Sequence, residues 1–241
     1  MHMPRFFVDT IQAGQVRIEG EDARHIARSL RMQTGEELIV CDGRGIDYRC
    51  CLTEIGDEVL AEILESYPTR SEPRIELILY QALPKSDKLD WIVQKAVELG
   101  VTAVVPVLTQ RCVSRPDEKS MEKKRARLQK IAAEAAKQSG RGIIPQLQPL
   151  LTFREAIDAM RRSERALFCY ERGGDRLSEL LSERPSSVSI MIGAEGGFSP
   201  EEASSAVAHG IAPATLGSRI LRCETAPLCA ISVIMNIYEE L

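Results

Sequence analysis

The sequence is poor in several features that would each mark a class of protein. No run approaches the roughly 18 to 20 consecutive apolar residues of a membrane-spanning helix. The start, Met1 to Phe7, has no basic segment followed by an apolar stretch of the signal-peptide kind. A cytoplasmic chain with no membrane partner is expected. The three histidines, His2, His25 and His209, stand apart from one another, so a zinc site lacks imidazole ligands and no metal is expected. The seven cysteines (Cys41, Cys50, Cys51, Cys112, Cys169, Cys223, Cys229) contain no Cys-x-x-Cys pair and are odd in number. That suits reduced, mostly buried thiols rather than a disulfide framework. Aromatics make up 5% of the 241 residues, but 44% hydrophobic and 27% charged is an ordinary globular balance, which excludes disordered and fibrous classes. The length suffices for two domains with cores of their own.

A net charge of -4 hides an uneven layout. Residues 111 to 142 hold ten Lys or Arg against four acids, whereas 143 to 241 hold nine Arg, thirteen acids and no lysine. One basic face on an acidic body suits a phosphate-backbone binder, and a solvated helix face is the alternative that charge alone leaves open.

The first third reads as short strands, Arg5 to Asp9, Gln15 to Glu19, Glu37 to Asp42, Ile46 to Ile55 and Glu58 to Leu64, punctuated by glycines. A small β-barrel is expected, interrupted by a helix over Asp22 to Met32 with His25, Ile26, Ser29 and Leu30 on one face. Tyr67 to Arg74, polar and carrying two prolines, marks the boundary between a domain over 1–70 and one over 74–241. Strands and helices then alternate: strand Ile75 to Ala82, helix Lys88 to Leu99, strand Thr102 to Leu108, helix Lys119 to Ser139, helix Phe153 to Arg162 and strand Ala166 to Tyr170. They continue as strand Ser189 to Ile192, helix Pro200 to His209, strand Ala214 to Leu216 and helix Ala226 to Glu240. This rhythm predicts an α/β domain with a mostly parallel sheet, ligands binding at the strands' carboxyl ends. No internal repeat or low-complexity segment is present.

Three segments carry candidate chemistry. In Ile190 to Glu202, an apolar strand runs into Gly193-Ala194-Glu195-Gly196-Gly197-Phe198, and Ser199 with Glu202 forms a capping box around Pro200 at the first helical position. Without Gly-Lys-Ser/Thr or Gly-x-Gly-x-x-Gly spacing this is neither a Walker A loop nor a dinucleotide fingerprint. In Leu216 to Pro227, Arg219, Arg222 and Glu224 crowd a loop between apolar elements, which calls for pairing or a polar ligand; an Arg222–Glu224 ion pair is the structural alternative. The helix after it is apolar around most of its circumference and should be buried on nearly all sides. In Gln81 to Gly100, Leu89, Ile92, Val93, Ala96 and Val97 form a core stripe, and Lys85 and Lys88 stand at the helix entry where an anion would be met.

Together these segments resemble the bacterial small-subunit (16S) ribosomal RNA uridine-N3 methyltransferases, of the SPOUT superfamily of knotted methyltransferases. The likeness covers Pro4 to Val8, His25 to Arg31, Leu83-Pro84-Lys85 to Gly100, Glu134 to Arg141, and above all Gly-x-Glu-Gly-Gly-Phe-Ser followed by Leu-Gly-x-Arg-Ile-Leu-Arg-x-Glu-Thr-Ala-Pro. Ala194 departs from the usual proline and Ser86 from a common glycine, while Ser218 and Cys223 fill variable slots.

The resemblance implies an N-terminal PUA-like β-barrel that binds RNA, a C-terminal SPOUT domain with a trefoil knot, S-adenosylmethionine as cofactor, and a homodimer acting on ribosomal RNA within the small ribosomal subunit. Chain rules alone would not suggest a knot. Carried over by motif, cofactor contacts fall on Gly193, Glu195, Gly196, Leu216, Gly217, Ile220, Leu221 and Thr225. N3 of uracil must lose its imide proton before it can attack a methyl group, so Arg222 or Arg219 would stabilise the resulting anion and Glu195 or Glu224 would take the proton. The target base must also leave any stack. Arg5, Arg24, Arg31, Lys85, Lys88, Arg111, Arg115, Lys124 and Arg141 are the candidates for RNA phosphates. Two other readings stay open: a ribose 2′-O RNA methyltransferase on the same scaffold, and a non-enzymatic ribosome-assembly RNA-binding factor.

Overall fold

The computed structural model describes residues 3–8, 11–12 and 14–241. His2, and Asp9 at the expected end of the first strand, lie outside them. The chain divides into two compact units, one running to Glu72 and taking in Ala136–Ile144, the other formed by Pro73–Ala135 and Pro145–Leu241.

In the first unit, β1 (Arg5–Phe7), β2 (Ile11–Gln12), β3 (Gln15–Ile18), β4 (Glu37–Cys41), β5 (Ile46–Ile55) and β6 (Val59–Pro68) form a six-stranded sheet in the order β1-β4-β5-β6-β3-β2. β1 pairs parallel with β4, and the remaining pairs are antiparallel. Alternation of buried and open positions along β3 puts Val16 and Ile18 inward, where they join Phe6, Leu38, Val40, Cys50, Leu52, Val59 and Ala61 in one core. Register shifts in β5–β6 at Arg49/Cys50 and Leu52/Glu54 give the bulges with which a sheet curls round such a core. β6 runs four residues past its expected end. Pro68, which has no N–H to donate, is tolerated because it closes the strand.

The expected helix over Asp22 to Met32 is two pieces, α1 (Gly20–Arg24) and a π-helical turn, His25–Leu30. Bonds from i to i+5 widen the turn, so the 3.6-residue face fails: Ala23 and Ile26 are buried, while His25, Ser29 and Leu30 are exposed.

The second unit contains β7 (Glu76–Ala82), α2 (Lys88–Glu98), β8 (Ala103–Leu108), α3 (Glu118–Gln138, its last turn grouped with the first unit), β9 (Gln146–Leu147), β10 (Leu151–Thr152) and α4 (Phe153–Met160). It continues with β11 (Arg165–Cys169), β12 (Asp175–Arg176), α5 (Leu177–Leu180), β13 (Ser187–Ile192), α6 (Pro200–Ala208), β14 (Ala212–Thr215) and α7 (Thr225–Ile237). The sheet order is β10-β8-β7-β13-β11-β14-β12, with β9 also on β8, and every described pair is parallel. The central strands β7 and β13 are buried along most of their length, as expected of parallel strands covered by helices on both faces. α2 buries the expected stripe, Leu89, Ile92, Val93, Ala96 and Val97.

α7 departs from its expected burial on nearly all sides. Ala230, Ile231, Ile234 and Met235 are buried, but Leu228, Cys229 and Ile237 are only half-buried and Val233 is exposed. One helix face packs against α2 and α5, and an apolar face is left over. No described helix is long and apolar enough to cross a membrane.

Candidate cofactor and catalytic cleft

The carboxyl ends of β11, β13 and β14 open into one cleft of about 450 Å³, lined by residues 169–171, 192–197, 214–223 and 226. Parallel strands expose their last carbonyls and the following loops on the same edge, so three loops meet where ligands of such sheets bind.

The loop after β13 is the best defined. The capping box is as expected: Ser199 Oγ accepts from the Glu202 N–H and Glu202 Oε2 from the Ser199 N–H, with Pro200 at the start of α6. Glu202 also reaches Gln110, whose N–H donates to Oε1 at 2.7 Å, tying the loop to the end of β8. Gly197 turns back on Ala194 through a 3.0 Å backbone bond with φ +64, and a Cβ there would sit 3.1 Å from the Glu171 carboxylate. A Cβ on Gly193 would come within 3.0 Å of Gly197 Cα, and one on Gly196 within 3.0 Å of Arg111 Cβ. Side chains are kept out, and the backbone is left open to a ligand. Beneath it, fully buried Gln81 points Nε2 at the Gly193 carbonyl, while its Oε1 has no hydrogen bond among the described residues.

The loop after β14 brings charge. Arg219 and Arg222 line the cleft, are exposed, and take part in no side-chain hydrogen bond or ion pair among the described residues. The Arg222–Glu224 pair weighed above is not formed. Glu224 Oε2 lies 3.1 Å from Lys88 Nζ, and Glu195 Oε1 lies 3.2 Å from the same nitrogen. The Lys85 N–H donates to Glu195 Oε1 at 3.1 Å, and the Cys223 thiol to Glu224 Oε2, also at 3.1 Å. Burial works to raise the Glu195 carboxyl, but backbone N–H bonds and the Lys88 ammonium hold it below the usual carboxylate range. Glu224 is held low by the Cys223 thiol and then by Lys88. Burial first, and the bond to Glu224 second, push the Cys223 thiol up to about 12, so it stays a donor.

Of the residues singled out from sequence, Gly193, Glu195, Gly196, Leu216, Gly217, Arg219, Ile220, Leu221 and Arg222 line this cleft. Ile220 is 86% exposed. Thr225 is an exposed residue beginning α7, next to the lining Ala226, and Glu224 stands at the rim through Lys88. Sequence reading overlooked Cys169, Tyr170 and Glu171 at the carboxyl end of β11, and Gln81 beneath the floor. The carboxyl-end rule applied to every strand would have found the first three.

Three phosphate candidates are otherwise engaged. Arg5 is buried and bidentate to Asp47, at 2.7 and 2.6 Å. Arg141 is buried against Glu72, whose Oε1 also accepts from the Gly142 and Ile143 N–H groups. Lys88 serves two carboxylates. Extracting a buried, doubly bonded guanidinium to meet RNA would strand its carboxylate, so Arg5 and Arg141 are structural. Arg24, Arg31, Lys85 and Arg115 are exposed, and Arg111 and Lys124 are partly so; Arg111 donates to the Gly196 carbonyl at 2.7 Å and Arg115 to that of Gln110 at 3.0 Å.

A parallel α/β domain with a glycine-floored cleft at its strand ends, preceded by a curled β unit, defines the class. The RNA methyltransferase domain matches residues 70–235 and the RNA methyltransferase PUA domain residues 18–64. The chain belongs to the ribosomal RNA small subunit methyltransferase E family. It is 34% identical to the Bacillus subtilis protein of that name over 96% of both chains, and 35% identical to the Synechocystis protein over 90% of this chain and 71% of the relative. It superposes on the Neisseria gonorrhoeae ribosomal RNA small subunit methyltransferase E, solved bound to S-adenosyl methionine, with TM-score 0.89, 34% identity and 98% coverage of each chain.

Proposed function

We propose that the protein transfers a methyl group from S-adenosylmethionine to N3 of a uridine in small-subunit (16S) ribosomal RNA. The observation that carries the reading is the cleft's charge: two arginines whose side chains pair with none of the described residues face a glycine-lined floor at the strand ends. The floor suits the cofactor, since side-chain-free backbone at Gly193, Gly196 and Gly197 lets a flat nucleoside approach and be read by backbone groups. The carboxylates of Glu171 and Glu195 suit its cationic end. When bound, the cofactor supplies an electrophilic methyl group on a sulfonium.

The chain's own task is to make the imide nitrogen nucleophilic. A neutral imide has no free lone pair, so negative charge must develop on the base as the proton leaves. Arg222 and Arg219, with their donors uncommitted, stabilise that charge at the uracil oxygens. The proton passes to Glu195, the carboxylate that lines the cleft, directly or through water, while Glu224, held as an anion by the Cys223 thiol and then by Lys88, stands at the rim. The exposed cations Arg24, Arg31, Lys85 and Arg115, with Lys124 and Arg111, hold the surrounding phosphates. The same reading has the loops after β13 and β14 forming a trefoil knot and the left-over apolar face of α7 meeting a second copy in a homodimer. It places the work in the cytoplasm, on RNA within the small ribosomal subunit.

The test is to incubate the protein and labelled S-adenosylmethionine with small subunits lacking the modification, digest the RNA and identify the nucleoside by mass spectrometry. 3-Methyluridine is expected. A 2′-O-methyl nucleoside, or no product, would overturn the assignment.

A further inference from the structure

The charge around the cleft is partitioned in a specific way. Glu195 and Arg222 stand on different loops, but Arg222 and Glu224 are two residues apart on one loop, where proximity alone favours a pair. Instead Lys88 Nζ lies within 3.2 Å of a Glu195 oxygen and 3.1 Å of a Glu224 oxygen. Lys88 opens α2, a helix fixed by its buried stripe, so the ammonium comes from an element that neither loop controls.

We propose that Lys88 is a positioning residue that takes up both loop carboxylates and thereby leaves the guanidiniums of Arg219 and Arg222 free for an anionic reacting group. The proposal deepens the methyltransfer reading and rests on it. A guanidinium bonded to a carboxylate has its donors occupied and its charge offset at short range, so it stabilises a developing anion far less. Removing Lys88 leaves Glu224 without its cation and within the same short segment as Arg222. The loop after β13 does not depend on Lys88 for its shape. The Gly197–Ala194 turn, the Arg111–Gly196 bond and the Ser199–Glu202 box hold it independently. The Thr225 and Ala226 N–H groups, both donating to the Arg222 carbonyl, keep the second loop's exit in place.

The test reads arginine availability directly, with phenylglyoxal labelling of Arg219 and Arg222 followed by peptide mass spectrometry. In Lys88→Met, labelling of Arg222 should slow by about two- to fivefold, the range set by one partly exposed ion pair. In Lys88→Met/Glu224→Gln it should recover, and Lys88→Arg should label like the unmodified protein. Methyl transfer should follow the same order, with recovery in the double variant. Loss of loop structure alone would leave the double variant as impaired as Lys88→Met. Unchanged labelling in Lys88→Met, or no recovery on removing Glu224, would overturn the proposal. Lys88→Gln, with circular dichroism of each variant, separates an effect of charge from one of folding. Labelling needs neither cofactor nor RNA. A wild-type protein that transfers no methyl group would therefore count against the methyltransferase reading, while labelling still judges Lys88.

Discussion

The Asp47 carboxylate in the β unit and the Lys88 ammonium beside the cleft are each surrounded by groups that seek them, and they use those groups in opposite ways. Asp47 accepts from Arg5 twice, from the Cys41 thiol at 2.7 Å and from Thr69 at 2.6 Å, with side-chain exposures of 3% for Asp47 and 8% for Arg5. Both terminal nitrogens of Arg5 are committed to Asp47, although its buried Nε has no hydrogen-bond partner among the described residues, and the arginine is part of the frame. Near the cleft Lys88 absorbs Glu195 and Glu224, and the side chains of Arg219 and Arg222 remain unpaired among the described residues. An arginine's chemical use therefore follows from which carboxylates are within reach of it, and neither residue type nor motif reveals that.

The largest way to break the comparison is Asp47→Ala, which strands a buried guanidinium and should cost about 3–5 kcal/mol of stability in denaturant melts. Burial works to raise the Asp47 carboxyl, but bonds from Arg5, Cys41 and Thr69 hold it below its ordinary 3.8. Its stabilisation is thus present above that value and lost as pH falls through the lower folded value. Asp47→Asn should accordingly flatten the acid limb of stability below 3.8.

Arg222→Ala should cut single-turnover methyl transfer by roughly 10²–10³-fold with the melting curve unmoved, the reverse signature. If Arg222→Ala and Glu195→Ala both left turnover unchanged with cofactor bound, the catalytic assignment would fall. Ser86 occupies left-handed φ +57 at the entry to α2, so Ser86→Gly should stabilise by roughly 1 kcal/mol, read as a raised melting temperature. The smallest effect sharpens the contrast among cations. Lys124→Gln should lower the salt slope of single-strand RNA binding by about 0.7, while Arg141→Gln should leave that slope alone and lower stability instead.

Much of the fold was legible because it rests on local physics. The α2 stripe, the β5 boundaries and the Ser199–Glu202 box all stand where periodicity and capping chemistry put them. Ser86, noted as a departure from a common glycine, sits at a backbone angle that explains the glycine. The π-helical turn at His25–Leu30 was not legible, since an i to i+5 pattern has no sequence period that separates it from an α-helix. Two-residue strands such as β9 and β12 were missed because their strand state comes from pairing partners.

The two glycine-containing loops, their order and the residues on them were determined by the sequence alone, as was the resemblance to the family that the matches bear out. Tertiary structure alone decided which charges remain available. Ion pairing acts over a few ångströms between residues that can be far apart in the chain, as Lys88 is from Glu195 and Glu224, and Arg141 from Glu72. A linear motif records the side chains, and only the folded arrangement sets the distances at which they neutralise one another.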